Sequence, residues 1–520
     1  MTRHPVAASL RRLLAAASLG GALVASEAAA QPAGPPTGPP PTTFPDTPLG
    51  RLGQRLVAVI DGGDSAAIAR FVAERFVTGH ADNDLLGADD AVARARTYVT
   101  LHRQSGGLEV TRVRQVGSAL RVFTRARNGR RYLGLELEPA GGDTARLAHV
   151  GLYPMDDPGM RMPPAPWATG TLDDGAIAAV IERKVREAAE ADRFSGVVLV
   201  ARGDRVLVHA AHGFADRERG RPNTAQTAFA TTSVGKMFTG VAVMQLVERG
   251  LLRLDDTLAR VLPEYPNREA AARVTVRQLL THTAGIPEPF LSPRFGSGDD
   301  SASHATLLRT FADAPLDVEP GREHRYSNGN YLALAAIVER LSGQSYERYL
   351  RERVWGPAGL RQVEHPAWSD APGRGVGYAR FTSTDPLGVE ARRAADPPAR
   401  AYRGELRGFG GGAFTAEDLF RFARALRTGR LLRADLADSA MTGQVDIGQG
   451  APVKYGFGFY EQRFGDRRVV GHRGSNPNTG WDADVEMVGD WTVVVLSNYD
   501  APAGIELAMP IVSLLAATGR

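Results

Sequence analysis

Ser233 and Lys236 stand one helical turn apart in the stretch Ala228–Gly240, AFATTSVGKMFTG. Of the 62 lysines and arginines in the chain only three are lysine, namely Lys184, Lys236 and Lys454. A chain that otherwise uses arginine thus places a rare lysine within reach of a serine. The two cations differ in titration. Burial can lower the pKa of an ammonium until the amine accepts a proton near neutral pH, whereas a guanidinium stays charged. The flanking residues Val234, Met237, Phe238, Val241, Val243, Met244, Leu246 and Val247 are apolar on nearly every side of a helix, which predicts a buried element. A helix over about Ser233–Arg249, capped by Thr231 or Thr232 and ended by Gly250, puts both side chains on one face. In that setting Lys236 can take the proton of Ser233, and the helix N-terminus favours the negative charge that develops on the attacking oxygen. Alone, the pair reads equally well as a helix-cap serine followed by a lysine that snorkels to solvent.

Two further clusters can complete such a site. PGREHRYSNGNYLAL (Pro320–Leu334) carries Tyr326 and Asn328 in a turn before an apolar helix. A phenol beside a cation can titrate low enough to act as a base, and an amide can orient its neighbours and a substrate carbonyl. Tyr-x-Asn is common, and Tyr265-Pro266-Asn267 repeats it as a plain turn. VVGHRGSNPNTG (Val469–Gly480) ends a strand on His472, Arg473, Gly474 and Ser475. Gly474 permits close approach of another backbone. His472 can donate to the tyrosine or to a substrate carboxylate, although a lone histidine at a strand end more often is a satisfied structural residue. Neighbouring Arg473 adds a bulky cation. A phosphate-cradling loop fails at Ala230 and Met237, and a nucleophile elbow fails at Thr231.

In this order the three motifs resemble the active site of the serine β-lactamase-like superfamily. That superfamily covers class C β-lactamases, D-alanyl-D-alanine carboxypeptidases, D-aminopeptidases and related esterases. LLTHTAGIP (Leu279–Pro287), GFGGGAFTAEDLFRFARAL (Gly408–Leu426) and WTVVVLSN (Trp491–Asn498) resemble its supporting stretches. The resemblance runs from about residue 171 to the end. It implies Ser233 as nucleophile, Lys236 as its base partner and Tyr326 as the second base that protonates the leaving group. It also implies Asn328 as a positioning residue, and an oxyanion hole from the N–H groups of Ser233 and Ser475, with Gly474 between His472 and that donor. His472 stands where many members carry the lysine of a Lys-Thr-Gly triplet. This departure makes an esterase or a D-amino-acid peptidase the expectation, with efficient β-lactamase action disfavoured. A weak β-lactamase and a non-hydrolytic module that binds peptidoglycan peptides are the alternatives. No cofactor and no metal are expected. His282 in THTAG tempts a metal reading, yet no second ligand stands at a recognisable spacing.

The elements that must position these residues follow from periodicity. A helix over Asp174–Ala189 precedes the strands SGVVLVAR and RVLVHAAHGF, joined by a tight turn at Gly203-Asp204. Near the other end, YGFGFYEQRF, RRVVGH, WDADVEMV and DWTVVVLSN read as strands, and a final helix spans about Gly504–Ala517. The region between is mainly helical. The predicted fold is α+β: one antiparallel sheet made from both ends and flanked by helices, with a mostly helical subdomain inserted and a cleft where the two meet. A small α+β unit precedes it, with helical spacing at Leu49, Leu52, Leu56 and Val59 and a second helix capped by Asp64. Two strands there turn at Asn128-Gly129. It resembles cone-shaped cystatin-like or nuclear-transport-factor-like modules. Its His80 and Asp82 form a minor site candidate and more simply read as solvated loop residues.

The expected organisation is a signal peptide at 1–30, a proline-rich linker at 31–48, the small domain at 49–157, a second linker at 158–172 and the hydrolase domain at 173–520. Arg11 and Arg12 before an apolar run, with small residues near Ala30, predict export to the periplasm or beyond. The Arg pair also fits a twin-arginine signal. The run is too short for a membrane anchor, so no stable membrane insertion is expected after signal removal. The absence of cysteine excludes a thiol nucleophile and disulfides. A net charge of +4 with no long basic run gives no reason to expect nucleic acid. The expected partner is a small ester, amide or peptide substrate.

Overall fold

The computed structural model describes residues 42–77, 91–116, 119–129, 132–140, 143–155, 164–292, 294–295, 303–361, 373–380, 393–394, 407–447, 453–476 and 480–518. The predicted signal segment lies outside the described residues, as do His80 and Asp82.

Helices α1 (Pro48–Gly62), α2 (Ser65–Arg75) and α3 (Ala91–Ser105) pack on a four-stranded antiparallel meander. Its strands are β1 (Leu108–Val116), β2 (Ala119–Ala126), β3 (Tyr132–Ala140) and β4 (Asp143–Met155). Asp64 caps α2 through the N–H of Ala66, and Gly129 takes a positive φ in the β2–β3 turn, both as the sequence predicts. Leu52, Leu56, Ile60, Phe71, Leu120, Val122, Leu133 and Leu135 share one core with α3. Helix α3 escapes sequence reading because its buried stripe includes Arg94 and Thr97 beside Tyr98 and Leu101. The Arg94 guanidinium is held 4.4 Å from the Phe76 ring centre.

After α4 (Asp174–Glu190) come β5 (Gly196–Arg202) and β6 (Arg205–His212). Six later strands complete the sheet: β7 (Val445–Asp446), β8 (Lys454–Tyr455), β9 (Tyr460–Phe464), β10 (Arg467–Asn476), β11 (Trp481–Val488) and β12 (Trp491–Ser497). The order β7-β8-β9-β10-β11-β12-β5-β6 is antiparallel throughout, so β12 pairs with β5 and the two ends of this region close one sheet. Strand β5 shows why its run is apolar at every position. Val197, Leu199 and Ala201 face the helical insertion, while Val198 and Val200 face α4 and the last helix, α8 (Ile505–Thr518). Inserted between β6 and β7 are α5 (Lys236–Glu248), α6 (Asn328–Ser342) and α7 (Ala416–Arg427) among shorter pieces. Every residue of α5 from Lys236 to Leu246 is buried, because it lies between the sheet and this insertion.

Candidate active site

The serine does not occupy the α-helical turn that its sequence suggests. Thr232–Gly235 form a 3₁₀ turn, and the α-helix begins at Lys236. Thr232 holds φ +44°, a left-handed conformation that is strained for a β-branched residue. Thr231 does not cap the helix; its hydroxyl donates to the Gly411 carbonyl at 3.1 Å. Two glycines explain the tight turn. A Cβ on Gly410 would stand 2.3 Å from the Thr232 carbonyl oxygen, and one on Gly474 would stand 2.6 Å from the Ser233 nitrogen. Backbone from two remote segments thus presses closely on the serine turn.

Lys236 is fully buried, and its amine makes three contacts. Nζ lies 3.0 Å from Ser233 Oγ, 2.8 Å from Asn328 Oδ1 and 2.6 Å from the Phe409 carbonyl oxygen. A neutral amine has two N–H bonds and one lone pair. The amide and backbone oxygens can only accept, so they take the two N–H bonds and aim the lone pair at the serine hydroxyl. Burial pushes the Lys236 amine down from 10.5 to about 7, against the opposing pull of Glu288. The neutral base is therefore substantially populated at neutral pH, which is the state proton abstraction needs.

Tyr326 meets Ser233 in a side-chain hydrogen bond, and Lys236 Nζ sits 4.8 Å from its ring centre. Its titration runs opposite to the sequence expectation. Burial pushes the phenol well above its ordinary value, so it is held as a proton donor. With its ammonium pushed down to about 7, the nearby Lys236 is only partly cationic and gives a phenolate little support. His282 stacks on Tyr326 with ring centres 4.1 Å apart. Its Nδ1 accepts from the Ser327 backbone at 3.3 Å and from Asn330 Nδ2 at 3.1 Å. That histidine buttresses the tyrosine, and no metal-binding group of His, Cys, Asp and Glu occurs among the described residues.

His472 is buried and satisfied at both nitrogens. Nδ1 donates to the Arg473 carbonyl at 2.6 Å, and Nε2 accepts from the Tyr455 hydroxyl at 3.0 Å. Burial, with Lys236 adding to it, holds the imidazole well below its ordinary 6.5 and hence neutral. The histidine therefore partners Tyr455 rather than Tyr326, and offers a substrate carboxylate neither a free donor nor a charge. Arg473 does not enter the cleft either. Strand alternation turns it to the opposite sheet face, in register with Asp484 and alongside buried Asp482 and Glu486. Its guanidinium pulls these carboxyls down, but burial outweighs it and raises all three. Gly474 lies against the Ser233 nitrogen, and Ser475 is exposed at the next position.

Two contributors were missed by sequence reasoning. The Phe409 carbonyl was legible only as a glycine-rich stretch, whose function is to bring backbone against Lys236. Glu288, in IPEPF, carried no signal. Its carboxylate accepts from the Asn328 N–H at 2.8 Å and from Asn328 Nδ2 at 3.1 Å. This fixes the Asn328 amide so that Oδ1 faces Lys236.

These features coincide with known proteins. The sequence profile of the family described as Beta-lactamase matches residues 181–518. Penicillin-binding protein 4* of Bacillus subtilis (strain 168) is 29% identical over 336 residues, covering 62% of this chain and 71% of that protein. Esterase EstB of Burkholderia gladioli is 31% identical over 331 residues, covering 58% of this chain and 83% of that protein. A penicillin-binding protein structure from Bacillus halodurans superposes with a TM-score of 0.53 at 26% identity, covering 64% of this chain and 98% of that one. The Ser233–Lys236–Tyr326 cluster lies inside the matched region. With that profile spanning more than half of its length, the chain belongs to the beta-lactamase family and is a serine hydrolase of the β-lactamase-like superfamily.

Proposed function

We propose an exported enzyme that hydrolyses a small ester or amide through an acyl-enzyme on Ser233. The observation that carries this reading is the Lys236 amine, whose two N–H bonds are spoken for and whose third direction points at Ser233 Oγ at 3.0 Å. Ser233 adds to the substrate carbonyl while its proton passes to Lys236. The oxyanion forms against the Ser233 and Ser475 N–H groups, donors of a kind whose loss typically costs about 100- to 1,000-fold. When the intermediate collapses, the Tyr326 phenol gives its proton to the departing oxygen or nitrogen and is reprotonated from Lys236. Water then adds to the acyl carbonyl by the same route in reverse, releasing the acid and restoring the serine. The neutral, doubly bonded His472 supports an esterase or amidase over a β-lactamase, because it supplies no cation for a β-lactam carboxylate. The apolar segment behind Arg11 and Arg12 supports export, and no helix among the described residues is long and apolar enough to cross a membrane.

Fluorophosphonate treatment of the purified protein is expected to add a single phosphonyl group, mapped by peptide mass spectrometry to Ser233. A folded protein that stays unlabelled there and turns over no ester contradicts the reading.

A further inference from the structure

The N-terminal meander is apolar on the face that its helices cover and charged on the other. On the charged face, Arg114 of β1 stands directly opposite Arg121 of β2, and Glu136 and Glu138 follow on β3. Like charges opposed across two strands are unfavourable by themselves. Glu136 takes two bonds from Arg121, at 3.0 and 3.3 Å. Further balancing charge comes from the hydrolase region. The fields of Glu323 and Asp446 reach Arg114, and that of Arg121 reaches His324. Glu138 forms an ion pair with Arg325 at 4.0 Å, and both side chains are largely covered. Three consecutive residues, Glu323, His324 and Arg325, are thus each met by a charge of the meander, and the next residue is Tyr326.

Arg325 connects this seam to the site. Its N–H donates to the His282 carbonyl at 2.7 Å, and the Ser327 N–H donates to His282 Nδ1 at 3.3 Å. His282 therefore holds the backbone on both sides of Tyr326 while stacking on its ring. The Arg325 guanidinium also donates to Asp317 at 3.0 Å, and the Asp317 N–H donates to the Gly285 carbonyl at 2.8 Å. Burial pushes the Glu138 carboxyl up to about 7, against the pull of Arg325. Its folded value lies above its ordinary one, so the ionised form lowers stability once the pH exceeds that ordinary value. Arg325 keeps Asp317 as counter-charge without it. A covered carboxylate that stability does not require is explained by the geometry it fixes.

We propose that Glu138 is a positioning residue for catalysis: it draws Arg325 toward the meander and so sets the Tyr326 hydroxyl where a leaving group needs its proton. This rests on the serine hydrolase reading and goes beyond it, because it makes the N-terminal meander part of the framework of the active site. Glu138 touches neither substrate nor Ser233. It acts through Arg325 and the backbone that His282 grips on either side of Tyr326.

The test uses the full chain at about pH 8.5, where the Glu138 carboxyl is ionised. It compares two butyrate esters through kcat/KM, which reports acylation. Ethyl butyrate has a leaving alkoxide that must be protonated, whereas p-nitrophenyl butyrate releases a phenolate that departs without a proton. Glu138→Gln is expected to lower kcat/KM on the ethyl ester by about 10- to 100-fold, as for a small misplacement of a catalytic group, and to affect the p-nitrophenyl ester far less. In a Tyr326→Phe background the same change is expected to cost nothing further on the ethyl ester. Glu138→Leu is expected to behave like Glu138→Gln, and both are expected to melt at or above the wild-type temperature. Glu109→Gln, which breaks the exposed pair with Arg125 on the same meander, is expected to leave both esters at wild-type rates. Wild-type turnover of the ethyl ester by Glu138→Gln overturns the proposal. So does an equal loss on both esters, a loss that persists in Tyr326→Phe, or a loss in both Glu138 variants that only follows a lower melting temperature or a failure to fold. Ester turnover with Ser233 labelling but an indifferent Glu138→Gln sinks this inference and leaves the hydrolase standing, whereas a wild type that turns over neither ester and is not labelled sinks both.

Discussion

Ser233→Ala is expected to lower kcat/KM on a short-chain p-nitrophenyl ester by about 10⁴- to 10⁶-fold, the range for removing a serine nucleophile. The loss lies on the chemical step, because no other hydroxyl occupies the position that Lys236 and the 3₁₀ turn define. The fold is expected to survive. Ser233 is partly exposed, and its turn is held by Gly410 and Gly474 backbone rather than by its own side chain. Steady-state kinetics with an unchanged circular dichroism spectrum checks this. Equal rates for the variant and wild type would point instead to a binding module that keeps the fold.

Lys236→Arg is expected to cost about 1,000-fold or more, within the 10²–10⁴ range of general base catalysis with positioning lost as well. Arginine keeps the charge and forfeits the titration. Because a guanidinium is bulkier than the fully buried site allows, Lys236→Met provides a control of similar shape. It is expected to be as inactive as Lys236→Arg and more heat-stable than wild type. Stability follows the same titration. The folded lysine loses its proton at about 7, against 10.5 ordinarily. Between those values the unfolded chain binds the extra proton, so the stability contributed at this residue rises with pH across that window. Methionine removes that dependence, and thermal melts at pH 7 and pH 9 read it directly. Near-wild-type turnover by Lys236→Arg would refute the proton-acceptor role.

The sequence carried the framework of the site better than its electrostatics. Ser233 and Lys236 could be paired because a helical turn has fixed geometry and an all-apolar helix must be buried. The sheet could be assembled from both chain ends because β5 and β12 are continuous apolar runs that need cover on both faces. What spacing cannot tell is where remote backbone arrives. The 3₁₀ turn at Thr232, the Phe409 carbonyl on Lys236 and the loop that brings Glu288 to Asn328 all depend on contacts between distant segments. Protonation states failed for the same reason. Tyr326 reads as a base from sequence, whereas burial holds its phenol protonated, since a phenol's pKa depends on burial and on whether its neighbouring amine is charged. His472 was found as a departure from a lysine, and only the position of Tyr455 shows that both its nitrogens are occupied. Arg473 was read as a cation beside it, whereas strand alternation sends it through the sheet to Asp484.

The central claim is that Lys236 is a neutral amine at working pH. With only three lysines in the chain, ¹³C labelling of the lysine ε-carbons yields three resonances, and the one missing from Lys236→Arg is identified at once. Its midpoint is expected near pH 7, with kcat/KM rising over the same interval as the proton leaves. A Lys236 resonance that stays protonated to its ordinary 10.5 while the enzyme is fully active at pH 7 would contradict the account.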